Sequence, residues 1–472
     1  MKPARLALAC LPLALAACAA TAPPPPQAPA ALPTAWHAPL PHQGSLSGLA
    51  RWWARWNDPL LLDLVRQAQE VSPGVAQARS RLVQARATQT ASHAALLPAV
   101  DGQASAGRGF NEQLAAVAST AQAGLQAQWE IDLWGGNAAA DTAARERLAG
   151  AQALWHEARV SVAAEVALQY SSLRTCLQQQ DIAERDARSR AETARLSELS
   201  ERSGFTAPAT HALARASAAE AVARAAQQRM QCEVELKSLV ALTGHDEAAL
   251  RPQLEASPAQ PAPEALFTIA SLPAQVLAQR PDVYNAEREV AAASADVGQA
   301  QAQRYPRLGL SGAIGATRVH TGGTGTNLTT WSIGPLALSL PIFDGGRRAA
   351  QEEAARARYD EAAALYRARV RVAVSEVEQA LVRLQSSTER NDSARTAAEG
   401  YRAAFTATEA RWRAGMASLV ELEDARRTAL AAQNALAALQ HERTAAWVAL
   451  YRAAGGGWEA PAPEAATPAP AH

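Results

Sequence analysis

Beyond its first 17 residues the sequence has no uninterrupted apolar run of about 18 residues, so it offers no candidate for a transmembrane helix. It also lacks a basic tract. Lys and Arg total 45 against 45 Asp and Glu, nearly all the basic residues are Arg, and no nucleic-acid partner is expected. Catalytic signatures are missing too. His441-Glu442 lacks the second His of a zinc-binding helix, there is no Gly-x-Ser-x-Gly, and no Gly-rich loop carries the following Lys that grips phosphate. Gly322-Gly323-Thr324-Gly325 falls between two expected strands and opens no helix, which makes it a surface loop. No enzymatic activity, metal or cofactor is therefore expected.

Of the four cysteines, two lie near the start. Met1-Lys2-Pro3-Ala4-Arg5 followed by an apolar run through Ala17 has the charged-then-apolar order of a secretory signal. Leu15-Ala16-Ala17-Cys18 then reads as a bacterial lipobox, with lipid attached at Cys18 and Cys10 removed with the signal. Ala19 follows in place of the Asp associated with inner-membrane retention, so outer-membrane sorting is expected. The Pro-rich stretch through Pro33 favours extended structure and serves as a tether. A Pro/Ala-rich tail begins at Glu459 and is expected to be disordered. The high Ala content between them suits closely packed long helices better than a thick globular core.

The two halves repeat with a period of about 210 residues, which is the length of a duplicated domain half rather than of a solenoid unit. Ser72-Pro73-Gly74-Val75 matches Arg280-Pro281-Asp282-Val283, Pro98 matches Pro306, Gly135-Gly136 matches Gly345-Gly346, and Gly204 matches Gly415. Each half reads helix, strand, loop, strand, long helix, turn, helix. Ala121, Ala123, Leu125, Ala127, Trp129 and Ile131 alternate with polar or small residues, a period of two that suits a strand with lipid on one side and water on the other. Leu308, Leu310, Ile314 and Ala316 repeat that alternation, and the strand from Trp331 to Ile342 continues it with a phase slip, read as a bulge, at Gly334-Pro335. The first strand, Val100 to Phe110, is weaker. Phe110 and Trp331 are expected at one rim, and Trp129, Trp134, Tyr305 and Phe343 at the other.

Residues 137–203 contain no Pro and one Gly, with Ala163, Val166, Tyr170, Leu173 and Leu177 at steps of three and four; Val370, Val374, Val377, Leu381 and Leu384 form the counterpart seam. Each segment predicts a helix of about 67 residues, roughly 100 Å at 1.5 Å per residue. Shorter helices are expected to return over 206–244 and 417–455 and to precede the strands over 73–97 and 281–304. Four strands cannot close a barrel, and an open sheet edge is intolerable in lipid, so several chains must share one. Three chains give twelve strands over twelve helical rods, although symmetry alone does not exclude two or four.

Trp331-Ser332-Ile333-Gly334-Pro335, Leu340-Pro341-Ile342-Phe343-Asp344-Gly345-Gly346-Arg347, Arg280-Pro281-Asp282-Val283 and the lipobox resemble the outer-membrane efflux lipoproteins of the NodT type, relatives of TolC and OprM. The resemblance implies an α+β, mostly α fold: a trimeric twelve-stranded transmembrane β-barrel continued by a long periplasmic α-helical barrel. The expected division is signal 1–17, anchor and tether 18–35, first repeat 36–244, equatorial segment 245–272, second repeat 273–455 and tail 456–472. Trp36 to Leu60 and the residues after Gly455 would join the equatorial segment in a girdle. The implied function is passive conduction of substrates handed over by an inner-membrane transporter of the RND type through a periplasmic adaptor. Type I protein secretion and a non-conducting, lipid-anchored coiled-coil scaffold are the rival readings.

Three groups of residues carry the functional expectations. The turns at Gly204-Phe205 and Gly415-Met416 resemble the family's adaptor-docking tips; the alternative is two plain helix C-caps, each followed by an exposed apolar residue. Glu421 and Asp424, three apart, align with inward-facing acidic positions of the resembling channels, where three-fold symmetry would stack them into rings that attract cations, raise each other's pKa and narrow the aperture. The alternative is two solvated carboxylates near a helix start. Trp412, Ala417 and Thr210 depart from the family's closing contacts. Finally, Cys176 and Cys232 are symmetric about Gly204, since (176 + 232)/2 = 204, and are expected to bond in the oxidising periplasm; separate burial of two small side chains is the other possibility.

Overall fold

The computed structural model describes residues 56–112, 115–256, 277 and 280–458. Cys18, the tether, residues 36–55 of the expected girdle, residues 257–272 of the equatorial segment and the tail after Trp458 lie outside the described residues. The elements in chain order are α1 (Pro59–Val71), α2 (Pro73–Ala94), β1 (Ala99–Asn111), β2 (Ala116–Ile131), α3 (Gly136–Arg202), α4 (Pro208–Thr243), α5 (Glu247–Ala256), α6 (Pro281–Ala302), β3 (Arg307–Thr321), β4 (Thr324–Ser339), α7 (Arg347–Arg413) and α8 (Leu419–Ala453). Among the described residues no helix is long and apolar enough to cross a membrane.

Prolines and glycines set these boundaries. Pro73 and Pro281 each stand first in a 22-residue helix, where the missing N–H costs nothing. The helices α3 and α7 run 67 residues each because neither contains a Pro, and both stop at a residue followed closely by a Gly. The helices α1 and α5 were not expected and fall within or beside the segments read as girdle. At α1, Asp58 caps the helix by accepting from the amides of Leu60 and Leu61 at 3.0 and 3.1 Å, and Pro59 supplies the first turn.

Contacts divide the chain into two compact units. The first holds 80–153 and 284–369, and therefore the sheet. It is one antiparallel sheet of four strands in the order β1-β2-β3-β4, with β1 and β4 at its edges. In register, Leu125 lies opposite Ile314 and Ile314 opposite Trp331, while Trp129, Leu310 and Leu336 form a second row on the same face. Phe110 opposite Val117 and Leu308 opposite Leu338 extend that face to both ends. The irregularity between Leu310 and Gly312 leaves Gly334 and Pro335 facing Ser311, so the phase slip is a bulge at the expected place. Trp331 is not at the rim with Phe110: it is level with Leu125 and Gly102, midway along the strands. The β3–β4 turn at Gly322-Gly323 fixes that register. At the helix-bearing end, the Trp129 indole donates to the Leu96 carbonyl at 3.0 Å, the Trp134 indole to Pro306 at 2.7 Å, and Trp134 stacks on Tyr305 at 4.9 Å.

The second unit, 31–79, 154–283 and 370–472, carries the main apolar core. Leu61 and Leu64 of α1, Leu173 of α3, Leu239 of α4, Leu250 of α5, Leu381 of α7 and Trp447 of α8 are all under 2% exposed. A fully buried Leu contributes about 1.5–3 kcal/mol over its exposed state, so this cluster holds six helical segments together. The expected seams are in it: Ala163, Val166, Tyr170 and Leu173 are buried, as are Val370, Val377, Leu381 and Leu384, with Leu177 and Val374 at the margin. Asp58 does double duty, accepting from the Tyr170 hydroxyl at 2.6 Å while Arg174 donates to that hydroxyl and to the Leu254 carbonyl. After α8 the chain turns through Gly455, Gly456 and Gly457, all at positive φ, and a Cβ on Gly456 would lie 2.3 Å from Val160. Only glycine fits both the backbone and the space there.

Candidate functional site

The two helical turns that join α3 to α4 and α7 to α8 close by the same device. Gly204 and Gly415 adopt φ of +77° and +73°, and the amides of Phe205 and Met416 reach back to the carbonyls of Ser200 and Arg411 at 2.9 and 2.8 Å. This is the Schellman closure, whose left-handed position is most easily filled by a residue without a Cβ. The side chain that follows is pushed out: Phe205 is 85% exposed and Met416 71%. Both anticipated readings, a C-cap and an apolar docking point, share this geometry.

Glu421 stands in the first turn of α8. Its carboxylate accepts from the Ser418 amide at 2.7 Å while the Glu421 amide donates to the Ser418 hydroxyl at 3.1 Å, a complete capping box. The backbone and hydroxyl of Ser418 hold the Glu421 carboxyl below the usual range, with Arg411 at 3.6 Å adding to the effect. Within one chain the shift is thus opposite to the rise expected from like-charge neighbours. Asp424 pairs with Arg427 one turn on. Both carboxylates are exposed, on the face of α8 away from the buried Leu419, Leu422 and Arg426.

The sulfurs of Cys176 on α3 and Cys232 on α4 are bonded, with Cα atoms 5.4 Å apart, which lies in the normal disulfide range. Both side chains are buried, and the Gln228 amide lies 3.3 Å from the Cys176 sulfur.

Sequence reasoning missed the polar centre that joins the two hairpins. Arg190 of α3 donates from Nε to both oxygens of Asp186 at 2.9 Å and from Nη1 to Glu423 of α8 and Ser217 of α4. Arg426 of α8 donates to Glu423 at 2.6 Å and to the hydroxyls of Ser189 and Thr193 at 3.1 Å. Burial pushes the Arg426 guanidinium below its ordinary value, and Glu423 opposes that shift. Removing one partner of such a buried set typically costs about 3–5 kcal/mol, because a charge is left uncompensated. The sequence did carry a signal: Leu422, Arg426 and Ala429 follow steps of four and three, which places a cation on the apolar stripe.

The Arg280-Pro281-Asp282-Val283 motif also has a structural role. The Arg280 guanidinium clasps both oxygens of Asp282 at 3.0 and 2.8 Å, reaches Glu376 of α7 at 2.6 Å and donates to the Ala453 carbonyl at the end of α8 at 2.9 Å. Burial opposes its charge, but the two carboxylates outweigh burial and raise its pKa.

With this architecture in view, the outer membrane efflux protein family model matches residues 64–245 and 272–456. The chain belongs to that family. Similar relatives include the pyoverdine export outer membrane protein OpmQ of Pseudomonas putida, 32% identical over 96% of this chain and 98% of the relative. Nodulation protein T of Rhizobium leguminosarum bv. viciae is 28% identical over 97% and 94%. The solved outer-membrane channel OprN superimposes with a TM-score of 0.77 at 29% identity, covering 92% of this chain and 98% of the other. Family membership makes this an outer-membrane efflux channel protein and not an enzyme.

Proposed function

We propose that three copies of this chain form the outer-membrane exit duct of a tripartite efflux pump. The observation that carries this reading is the sheet. Its strands are 13–16 residues long, more than the roughly 9–11 that a tilted transmembrane strand needs, and the β1 and β4 edges have no partner among the described residues. Pairing β1 of one copy with β4 of the next closes a twelve-stranded barrel, with the apolar rows of Leu125, Ile314 and Trp331 turned to lipid. The exposed Phe205 and Met416 tips receive a periplasmic adaptor, and an inner-membrane transporter supplies the energy. Names of relatives such as pyoverdine export and toluene efflux favour small organic molecules over secreted proteins as cargo. Purified protein in planar bilayers is expected to open discrete channels in multiples of one trimeric unit, and its deletion to raise intracellular dye accumulation. Absence of discrete conductance would instead support a scaffold.

Cys18 carries the lipid in this proposal. Mass spectrometry of the mature N-terminal peptide is expected to find Cys18 first and diacylated; an unmodified thiol would reject the anchor.

A further inference from the structure

We propose that the groove bounded by α3, α7 and α8 beside Arg426 binds a small organic anion, a carboxylate or sulfonate carried on an aromatic or branched alkyl body. One wall is apolar, formed by Ile182 of α3, Phe405 of α7 and Leu430 of α8. Arg426 lines the groove from within. It is only 2% exposed, its guanidinium lies 5.4 Å from the centre of the Phe405 ring, and its Nε has no hydrogen-bond partner. The Asp186 carboxylate lies 3.9 Å from that Nε, too far for a hydrogen bond. A buried unpaired donor on a cation costs more than a neutral one, so a ligand oxygen that met it would gain correspondingly.

The charges around the groove leave a positive excess. Asp186 is occupied by Arg190 and also faces Arg224 at 3.8 Å; Glu423 is shared by Arg190 and Arg426; and Glu409 of α7, which accepts from the lining Ser189 at 3.4 Å, is matched by Arg413 at 3.3 Å. Arg185, which lines the groove, is matched by Asp181 at 2.9 Å, and Arg224 behind Asp186 by Glu220 at 3.0 Å. Arg402, which also lines the groove, has no ion-pair partner among the described residues. It lies three residues before Phe405, so cation and ring share one face of α7. A bare inorganic anion would use the two arginines and leave the Ile182, Phe405 and Leu430 wall wet. An anion with an apolar body uses both, and the ring adds a stacking surface beside the guanidinium.

The test uses the purified full-length protein in neutral detergent, with 4-(trifluoromethyl)benzoate as probe read by fluorine NMR and a detergent-only control. Saturable binding at one site per chain is expected, weakened at least tenfold by Arg402→Gln and by Phe405→Ala. The neutral 4-(trifluoromethyl)benzyl alcohol and inorganic sulfate are both expected to bind at least tenfold more weakly than the benzoate. Arg426→Met should abolish binding, but that side chain also holds the hairpins together; the exposed Arg402 and the ring variant decide the question without it. No saturable binding to the folded wild type, equal binding of the alcohol or of sulfate, or affinity unchanged in both Arg402→Gln and Phe405→Ala would overturn the proposal.

Discussion

Arg280 shows how much of an assembly can hang on one guanidinium. Its donors go to three places: Asp282, two residues on at the start of α6, and, far along the chain, Glu376 on α7 and the carbonyl that ends α8. With Asp282 only 6% exposed, Arg280→Ala leaves a buried carboxylate with its main partner gone, and a loss of about 3–5 kcal/mol is expected. Denaturant unfolding should register it, and the Arg280→Met/Asp282→Leu double variant should recover a large part because neither charge is then stranded. If both single and double variants unfold like the wild type, the clasp is not stabilising. At this scale the sequence was half legible. Arg280-Pro281-Asp282-Val283 was visible as a motif, but its partners lie 96 and 173 residues away and no local pattern names them. Arg190, Glu423 and Arg426 went unread for a similar reason: burial of charges in a matched set is decided by what the faces of other helices bring.

Among the elements, the long helices and their ends were legible because prolines and glycines punctuate them. The two helices of about 67 residues predicted from 137–203 and from the counterpart seam of Val370 to Leu384 appear as Gly136–Arg202 and Arg347–Arg413. The short helices α1 and α5 were not, since 13 and 10 residues give too few turns for a periodic stripe to stand out. Strand register was legible only in part: alternation identified the faces, but the height of Trp331 depends on where the Gly322-Gly323 turn falls, and a shift of a few residues moves a ring from rim to middle. The Cys176–Cys232 bond spans 56 residues, and by loop-closure entropy a cross-link of that span constrains the unfolded chain by about 4 kcal/mol. Cys176→Ser/Cys232→Ser is expected to lower stability by roughly 2–4 kcal/mol and to become insensitive to reductant. Two free thiols labelled in the unfolded, unreduced wild type would remove the basis for this expectation.

For the whole molecule the question is what the exposed carboxylates of α8 do when copies come together. In the proposed trimer, Glu421 and Asp424 would repeat three times around the axis and draw cations to the aperture. Glu421→Ala/Asp424→Ala is expected to conduct more, lose cation preference and lose divalent block in a planar bilayer; unchanged selectivity and block would place these residues away from the aperture. The pH response follows from the capping box. Because Ser418 lowers the folded-state pKa of Glu421, its charge, and the stability it lends, are present above the ordinary carboxylate range and lost only as pH falls through the lowered value. Cation preference should therefore hold from pH 7 to pH 5 and decline in stronger acid, and Ser418→Ala should move that decline upward, toward the ordinary Glu value of about 4.3. A decline already complete by pH 5 would mean that repulsion between copies outweighs the cap.

The disulfide has no twin. Counting the same 28 residues either side of Gly415 gives 415 − 28 = 387 and 415 + 28 = 443, which are Ser387 and Arg443, so the second hairpin cannot be stapled at the equivalent height. Mechanically the two pairs of rods are different objects. Antiparallel rods bonded across their interface cannot slide past one another and resist flexing as a laminated beam does, whereas rods held by side-chain packing and ion pairs without a covalent cross-link, as α7 and α8 are, can shear and therefore bend more readily. A structure that began as two copies of one hairpin has become a stiff strut beside a compliant one, and any thermal undulation that reaches the far ends will arrive with larger amplitude at Gly415 than at Gly204.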